Sequence, residues 1–457
     1  MKPRERRETG QEDFFRARLD QIIDMRHALV KLARLIDWGF LEDRFGAVYS
    51  DGPGSPPLPT RLMAGLEILK YSYDLSDERV CELWVENPYF QYFCGEEFFQ
   101  HVLTFDRSSM TRWRQRMGEE KLIALLQESL AVAVKTEALK PSELSKVVVD
   151  TTSERLSRQA LTCAAEECHA SHRCQIAQSR PRASCSSGQD AWDGPTSELC
   201  ACGQVRADQQ QRYSHARQFK RAGKPLRKLK TYLRRVIRDV ARKIDGNETL
   251  TAIFAPPLSR AYRVLTQKKR QEAPKVYSMH APEVECIGKG KAHKPYEFGV
   301  KVSVATTISP SKGGQFIIHA KALPGNPYDG HTLETVIPDI EATTGVELER
   351  IIADAGYKGH NAPADYKFKV YTQGQKRGVT PEIKRLFRRR AAVEPLIGHS
   401  KDEHRMGCNY LAHAQGDASN AVLAAVGYNF RRLIKWIAML LCLIRACLYR
   451  PPPSAVA

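Results

Sequence analysis

The chain has 457 residues, of which 27% are charged and 42% hydrophobic, with a formal net charge of +18 and a pI near 9.4. That length allows two to four domains with a substantial core, and that charge favours a polyanionic partner through counterion release. The pattern leads us to expect neither a secreted nor a membrane-spanning protein. Met1 to Arg18 is charged throughout, and the longest apolar stretch, Trp436 to Ile444, falls well short of the ~20 residues that span a bilayer. That stretch, preceded by Arg431, Arg432 and Lys435 and followed by Arg445, is expected to be a packed amphipathic helix, and the twelve cysteines are expected to be reduced thiols of a cytoplasmic protein.

Residues 12–140 predict helices, with apolar positions recurring at three and four: Phe15, Leu19, Ile22 and Ile23, then Met63, Leu66 and Leu69. The run Gly52-Pro53-Gly54-Ser55-Pro56-Pro57 divides them into a segment 1–57 and a domain 58–145. Ser76-Asp77-Glu78-Arg79 predicts one helix start. Ser108 opens another helix, whose Arg112, Arg114 and Arg116 are candidate DNA contacts. A helix-turn-helix-like reader and a plain helical bundle with a basic outer face both fit this region.

Lys146-Val147-Val148-Val149-Asp150 predicts a buried strand that delivers a carboxylate to its C-terminal edge, and Ile351-Ile352-Ala353-Asp354 predicts a second. Between them come a long interruption at about 155–295, strands at 298–306 and 315–321, and a helix at 331–343. A short strand at 367–371 and a basic helix at 388–401 carrying Glu394 follow. Two strand-end aspartates and a helical glutamate make an all-oxygen site for hard divalent cations. Two ions about 3.5–4 Å apart there would activate water and stabilise a leaving 3′ oxygen. Helix caps and turns also use strand-end aspartates. Arg390 lies four residues before Glu394 and Lys401 seven after it, offsets that share one helix face and suit a phosphodiester beside a metal. A solvated salt-bridged face has the same spacing.

The interruption holds the most basic stretch. From Arg212 to Lys243 there are thirteen cations against one acid, Asp239, with Tyr213, Phe219 and Tyr232 interleaved. That exceeds what solubility needs, and Arg217, Lys220, Arg221, Arg227, Lys228, Lys230, Arg234 and Arg235 are the candidate phosphate contacts. Residues 154–208 differ in kind: six of the twelve cysteines fall between Cys163 and Cys202, with His169 and His172 among them, and hydrophobic periodicity vanishes. These are zinc-ligand types, but the spacing argues against zinc: Cys163-x4-Cys168 and Cys200-x-Cys202 make no paired two-residue knuckle.

The chain resembles bacterial insertion-sequence transposases of the DDE type, in the insertion sequence five group. The resemblance runs through Pro59-Thr60-Arg61-Leu62, Asn87-Pro88-Tyr89-Phe90-Gln91-Tyr92-Phe93-Cys94-Gly95 and His280-Ala281-Pro282-Glu283-Val284-Glu285-Cys286. It continues in Leu323-Pro324-Gly325-Asn326-Pro327-Tyr328-Asp329-Gly330-His331, Gly416-Asp417-Ala418 and Gly427-Tyr428-Asn429. The family's tyrosine, arginine, glutamate and lysine signature is matched by Arg390, Glu394 and Lys401, with Phe387 in place of tyrosine. Cys408 stands where an arginine is expected.

The resemblance implies an α/β fold: a ribonuclease-H-like mixed-sheet catalytic core at 146–405, an all-helical N-terminal part, and C-terminal helices and tail at 406–457. It also implies that Asp150, Asp354 and Glu394 ligate two Mg²⁺ ions, with Mn²⁺ substituting, while Arg390 and Lys401 position the backbone. The expected partners are double-stranded DNA at terminal inverted repeats and targets, and further copies of the chain on that DNA, giving nucleoid association. His331 is a weaker candidate. Relatives are helical where 154–208 is unrecognisable, and a shifted reading frame between compensating indels explains this; the stretch, like the Pro451-Pro452-Pro453 tail, is expected to be disordered. A DNA-binding remnant without catalysis and a simple metal-dependent nuclease are the competing functions.

Overall fold

Short caps and apolar spacing set the N-terminal helices. α1 (Leu19–Ile22) is a single turn, and His27 accepts from the Leu29 amide to start α2 (Ala28–Leu35). Asp37 caps α3 (Trp38–Gly46) in the same way. α4 (Thr60–Ser72) is buried almost all round, as a helix through a core must be. Ser76 accepts from the Arg79 amide at the start of α5 (Asp77–Glu86), the start that the sequence predicts. Asn87 and Pro88 open α6 (Pro88–Phe93). α7 (Ser108–Lys135) bends at Gly118, whose φ of 64° with ψ of −178° is a pairing essentially confined to glycine.

The structure is a computed structural model that describes residues 17–49, 57–155, 196–268, 275–278, 281–291, 294–309 and 311–448. The chain divides into two units, Met1–Glu154 with Lys301–Ala457, and Arg155–Val300.

The first unit holds a mixed sheet. β1 (Lys146–Arg155) pairs in parallel with β5 (Arg350–Ala353), and β5 in parallel with β6 (Val370–Thr372). On the other side of β1 lies β3 (Lys294–Thr307), which pairs antiparallel with β4 (Ile317–Leu323). The order across this unit is therefore β4-β3-β1-β5-β6. The paired segments Val147 to Val149 of β1 and Ile351 to Ala353 of β5 are fully buried apolar runs, as strands covered on both faces require. α11 (Leu333–Thr344) turns its Leu333, Val336, Ile337 and Ile340 into the core and ends at Gly345 in the left-handed region.

α12 (Pro381–Arg390) and α13 (Val393–Glu403) lie over the sheet. Leu386 and Val393 pack with Val148, Ile308 and Ile352, and Phe387 lies against the same cluster. The aromatic ring at 387 therefore keeps a packing role without the signature hydroxyl. The single basic helix expected over 388–401 is in fact two, separated at Ala391 and Ala392.

α14 (His413–Leu448) runs through the middle of the unit, and Ala421 to Val426 are entirely buried. It crosses α4 at Gly427, where a Cβ would meet the Tyr71 carbonyl carbon and oxygen at 2.5 Å. Asn429 then fixes it laterally, donating to Ser129 of α7 at 2.9 Å and to the Ile317 carbonyl of β4 at 2.8 Å. Trp436 to Ile444 lies within this helix, and among the described residues no helix is long and apolar enough to cross a membrane.

In the second unit, α8 (Thr196–His215) meets α9 (Phe219–Ile244) at Ala207 and Leu229, and α9 packs on α10 (Glu248–Thr266) through apolar stripes. Leu233 of α9 meets Ala261 and Leu265 of α10, and Val236, Val240 and Ile244 meet Phe254 and Leu258. β2 (Glu285–Lys291) pairs antiparallel with the 294–299 part of β3. The disorder expected of 154–208 is corrected at both ends. Glu154 is a buried residue of β1, and residues 196–208 belong to α8. The cysteines at 163, 168, 174 and 185 lie outside the described residues.

Candidate active site

The parallel register brings Asp150 and Asp354 together: Asp354 directly follows β5, whereas β1 runs on to Arg155 and carries Asp150 within the strand rather than at the end that the sequence predicts. Lys146 pairs with Arg350, and Val149 with Ala353, so Asp150 and Asp354 are the next residues out on strands that sit about 4.8 Å apart. Asp150 accepts from its neighbouring Thr151 amide at 2.8 Å within β1, and Asp354 from the Ala355 amide at 2.6 Å at the start of a 3-10 turn. The turn-forming reading thus holds for Asp354, while Asp150 lies inside a continuous strand. Between the two carboxylates stands Arg390, the last residue of α12. Its Nη2 is 3.4 Å from Asp150 Oδ2 and 3.2 Å from Asp354 Oδ1. The Arg390 side chain is 9% exposed, that of Asp150 15%, and that of Asp354 44%, so the site opens on the Asp354 side.

A third acid stands close by, and it is not the expected one. Asp329 accepts from Thr151 Oγ1 at 2.9 Å and from Lys301 Nζ at 3.0 Å, and Lys301 also holds the Pro327 carbonyl at 2.7 Å. Burial pushes the Asp150 carboxyl up to about 6; the Arg390 guanidinium and the Thr151 amide oppose this, and the Asp354 and Asp329 charges add to it. Tyr357 is buried beside all three acids, and burial raises its phenol well above the ordinary range. Asp329 is legible in the sequence only as part of a resembling string; nothing in its spacing marks it as a neighbour of Asp150. His331, next to it, stacks edge-on against Tyr328 at a turn.

Glu394 is exposed in the first turn of α13, beyond the Ala391-Ala392 break. The break also means that Arg390 does not share a continuous helix face with Glu394 and Lys401. Lys401 places its Nζ 3.5 Å from Ser153 Oγ, three residues along β1 from Asp150. Two hard carboxylates converging on one cationic nitrogen fit the donor chemistry of Mg²⁺ or Mn²⁺. Among the described residues, no group of three or more carboxylate, imidazole or thiolate side chains is gathered closely enough to hold a metal.

Of the α7 arginines, Arg114 must be withdrawn as a DNA contact. It is 3% exposed and forms ion pairs with buried Glu67 and with Asp77, the latter at 2.6 Å; Lys70 joins Asp77 at 2.8 Å. Helical periodicity turns residue 114 inwards between its neighbours at 112 and 116. Arg112 and Arg116 are exposed, the latter over the Tyr49 ring at 5.1 Å. In the second unit, α9 exposes Lys220, Arg221, Arg227, Lys228, Arg234 and Arg235 opposite its buried stripe, and Lys230 is half-buried. Arg217 is exposed in the left-handed turn between α8 and α9.

Residues 17–116 match the family model described as a transposase domain, DUF772. A protein of Rhizobium meliloti described as uncharacterized protein ORF8 in the nfe locus is 50% identical over 152 residues, which cover 33% of this chain and 72% of that relative. The chain belongs to a transposase-like family. The family's matched domain spans α1 to α6 and the first turns of α7, and so contains Arg112, Arg116 and the buried Arg114 cluster. It crosses the Gly-Pro stretch at 52–57 that the sequence suggests as a boundary. No solved structure matches the chain.

Proposed function

We propose that this family member is a DNA transposase of the DDE type, cutting at the ends of an insertion sequence and joining the freed 3′ hydroxyls to target DNA. The observation that carries the reading is the convergence of Asp150 and Asp354 at the shared edge of two parallel strands, in a chain with a transposase domain. The strand order β4-β3-β1-β5-β6, antiparallel at one side and parallel at the other, supports a ribonuclease-H-like core. Bound Mg²⁺ would supply Lewis acidity at the scissile phosphate and lower the pKa of the attacking water. Asp150 and Asp354 would hold it, and Glu394 would have to be brought in from its exposed position on α13. Lys401 would steady the backbone as a point charge. Arg112 and Arg116 would meet the terminal repeat, and the α9 cations would grip phosphates without regard to sequence.

The exposed position of Glu394 favours a second reading, a chain that binds the element's ends without cutting them. A duplex carrying one terminal repeat separates the two. Incubated with the full chain and Mg²⁺, it should be nicked to leave a 3′ hydroxyl at the element's end, with no nicking in chelator. Retention of the duplex without any nick, in Mg²⁺ or Mn²⁺, would favour the binding-only protein.

A further inference from the structure

We propose that Arg390 is a resident counter-cation which a divalent ion must displace, so that metal and DNA binding are coupled through one side chain. The proposal rests on the metal reading above. The two carboxylates share a single guanidinium nitrogen at 3.4 and 3.2 Å, on a side chain more than nine-tenths buried. The pairing is incomplete. Arg390 Nε is buried with no hydrogen-bond partner, unlike the two-bond fork by which Arg114 grips Asp77 through Nη1 at 3.1 Å and Nη2 at 2.6 Å. Arg390 therefore neutralises the aspartates without the geometry of a permanent structural bridge.

A divalent ion between the same carboxylates would face the guanidinium at a separation where like charges repel strongly, so the two cations exclude each other. Arg390 has a way out. It is the last residue of α12, and the Ala391-Ala392 break follows it, so its long side chain can swing past the helix end while Leu386 and Val393 stay packed beneath. Glu394 begins the helix on the far side of that break. A guanidinium leaving a buried ion pair needs an anion, and a DNA phosphate at the site supplies it. DNA then promotes metal entry, and by reciprocity metal promotes DNA binding.

Mn²⁺ titrations of the full chain, followed by the resonance signal of free Mn²⁺, test this without any activity measurement. Arg390→Gln should bind Mn²⁺ at least about tenfold more tightly than the parent, and Arg390→Lys should stay near the parent because it keeps the charge. A short duplex should tighten Mn²⁺ binding to the parent by about fivefold or more, and this coupling should shrink in Arg390→Gln. Equal or weaker Mn²⁺ binding by folded Arg390→Gln overturns the exchange alone. If that variant fails to fold, the parent's coupling decides, and equal Mn²⁺ affinity with and without DNA overturns the proposal. Absence of Mn²⁺ binding in every case removes the metal reading with it.

Discussion

At the scale of single residues, the chemistry of the chain lies in how cations are assigned to carboxylates. Arg114 is committed to Glu67 and Asp77 inside the N-terminal helices, so its loss should act on stability rather than on DNA. Arg114→Ala leaves Glu67 buried without a partner and should cost about 3–5 kcal/mol by denaturant unfolding, with affinity per folded molecule for the terminal repeat unchanged. A selective loss of repeat binding in a fully stable variant would return Arg114 to the DNA surface. Asp77 supplies a pH signature. Burial alone would raise its carboxyl, but Lys70 and Arg114 outweigh it and hold the group at about 2, below its ordinary 3.8. Its contribution, about 2 kcal/mol, is then fully present above pH 4 and lost as pH falls towards 2. The stability gap between the parent and Asp77→Asn should narrow over that interval; a gap constant down to pH 2 would show that Asp77 is not held by its cations. Asp150 and Asp354 are legible in the sequence because each ends an apolar β-branched run. The placement of Arg390 is not, because an offset of four means one face only while the helix continues, and two alanines interrupt it.

At the scale of elements, most helices and strands announce themselves by period and caps, and their neighbours do not. The strand at 370–372 and the one at 317–323 fall within two or three residues of where apolar runs place them. That β1 lies between β3 and β5 is invisible in sequence, and it is this order that brings residues 150 and 354 together. The approach of α14 to α4 is equally hidden, because Gly427 sits in an ordinary apolar helix. Gly427→Ala should cost about 1–3 kcal/mol, since the added carbon meets backbone that cannot turn aside; an unchanged unfolding midpoint would mean that the helices part freely. For α9, the alternation of a leucine and valine stripe with an arginine and lysine face is legible directly. Changing Arg227, Lys228, Arg234 and Arg235 to Gln should reduce the log–log salt slope of duplex binding by ~0.9 for each phosphate that the helix no longer neutralises. An unchanged slope would leave that face as a solvated helix surface only.

At the scale of the whole molecule, the proposed activity on DNA draws together a net charge of +18, a transposase domain over residues 17–116 and the paired Asp150 and Asp354. That activity stands or falls on those aspartates. Single-turnover cleavage of a duplex carrying the element's end, in Mg²⁺, by the parent and by Asp150→Asn and Asp354→Asn at matched thermal stability, tests it most directly. Each substitution should reduce the rate by about a thousandfold or more, since removing a metal-held carboxylate costs on the order of 4 kcal/mol of transition-state stabilisation. Cleavage within about threefold of the parent in either folded variant would contradict it.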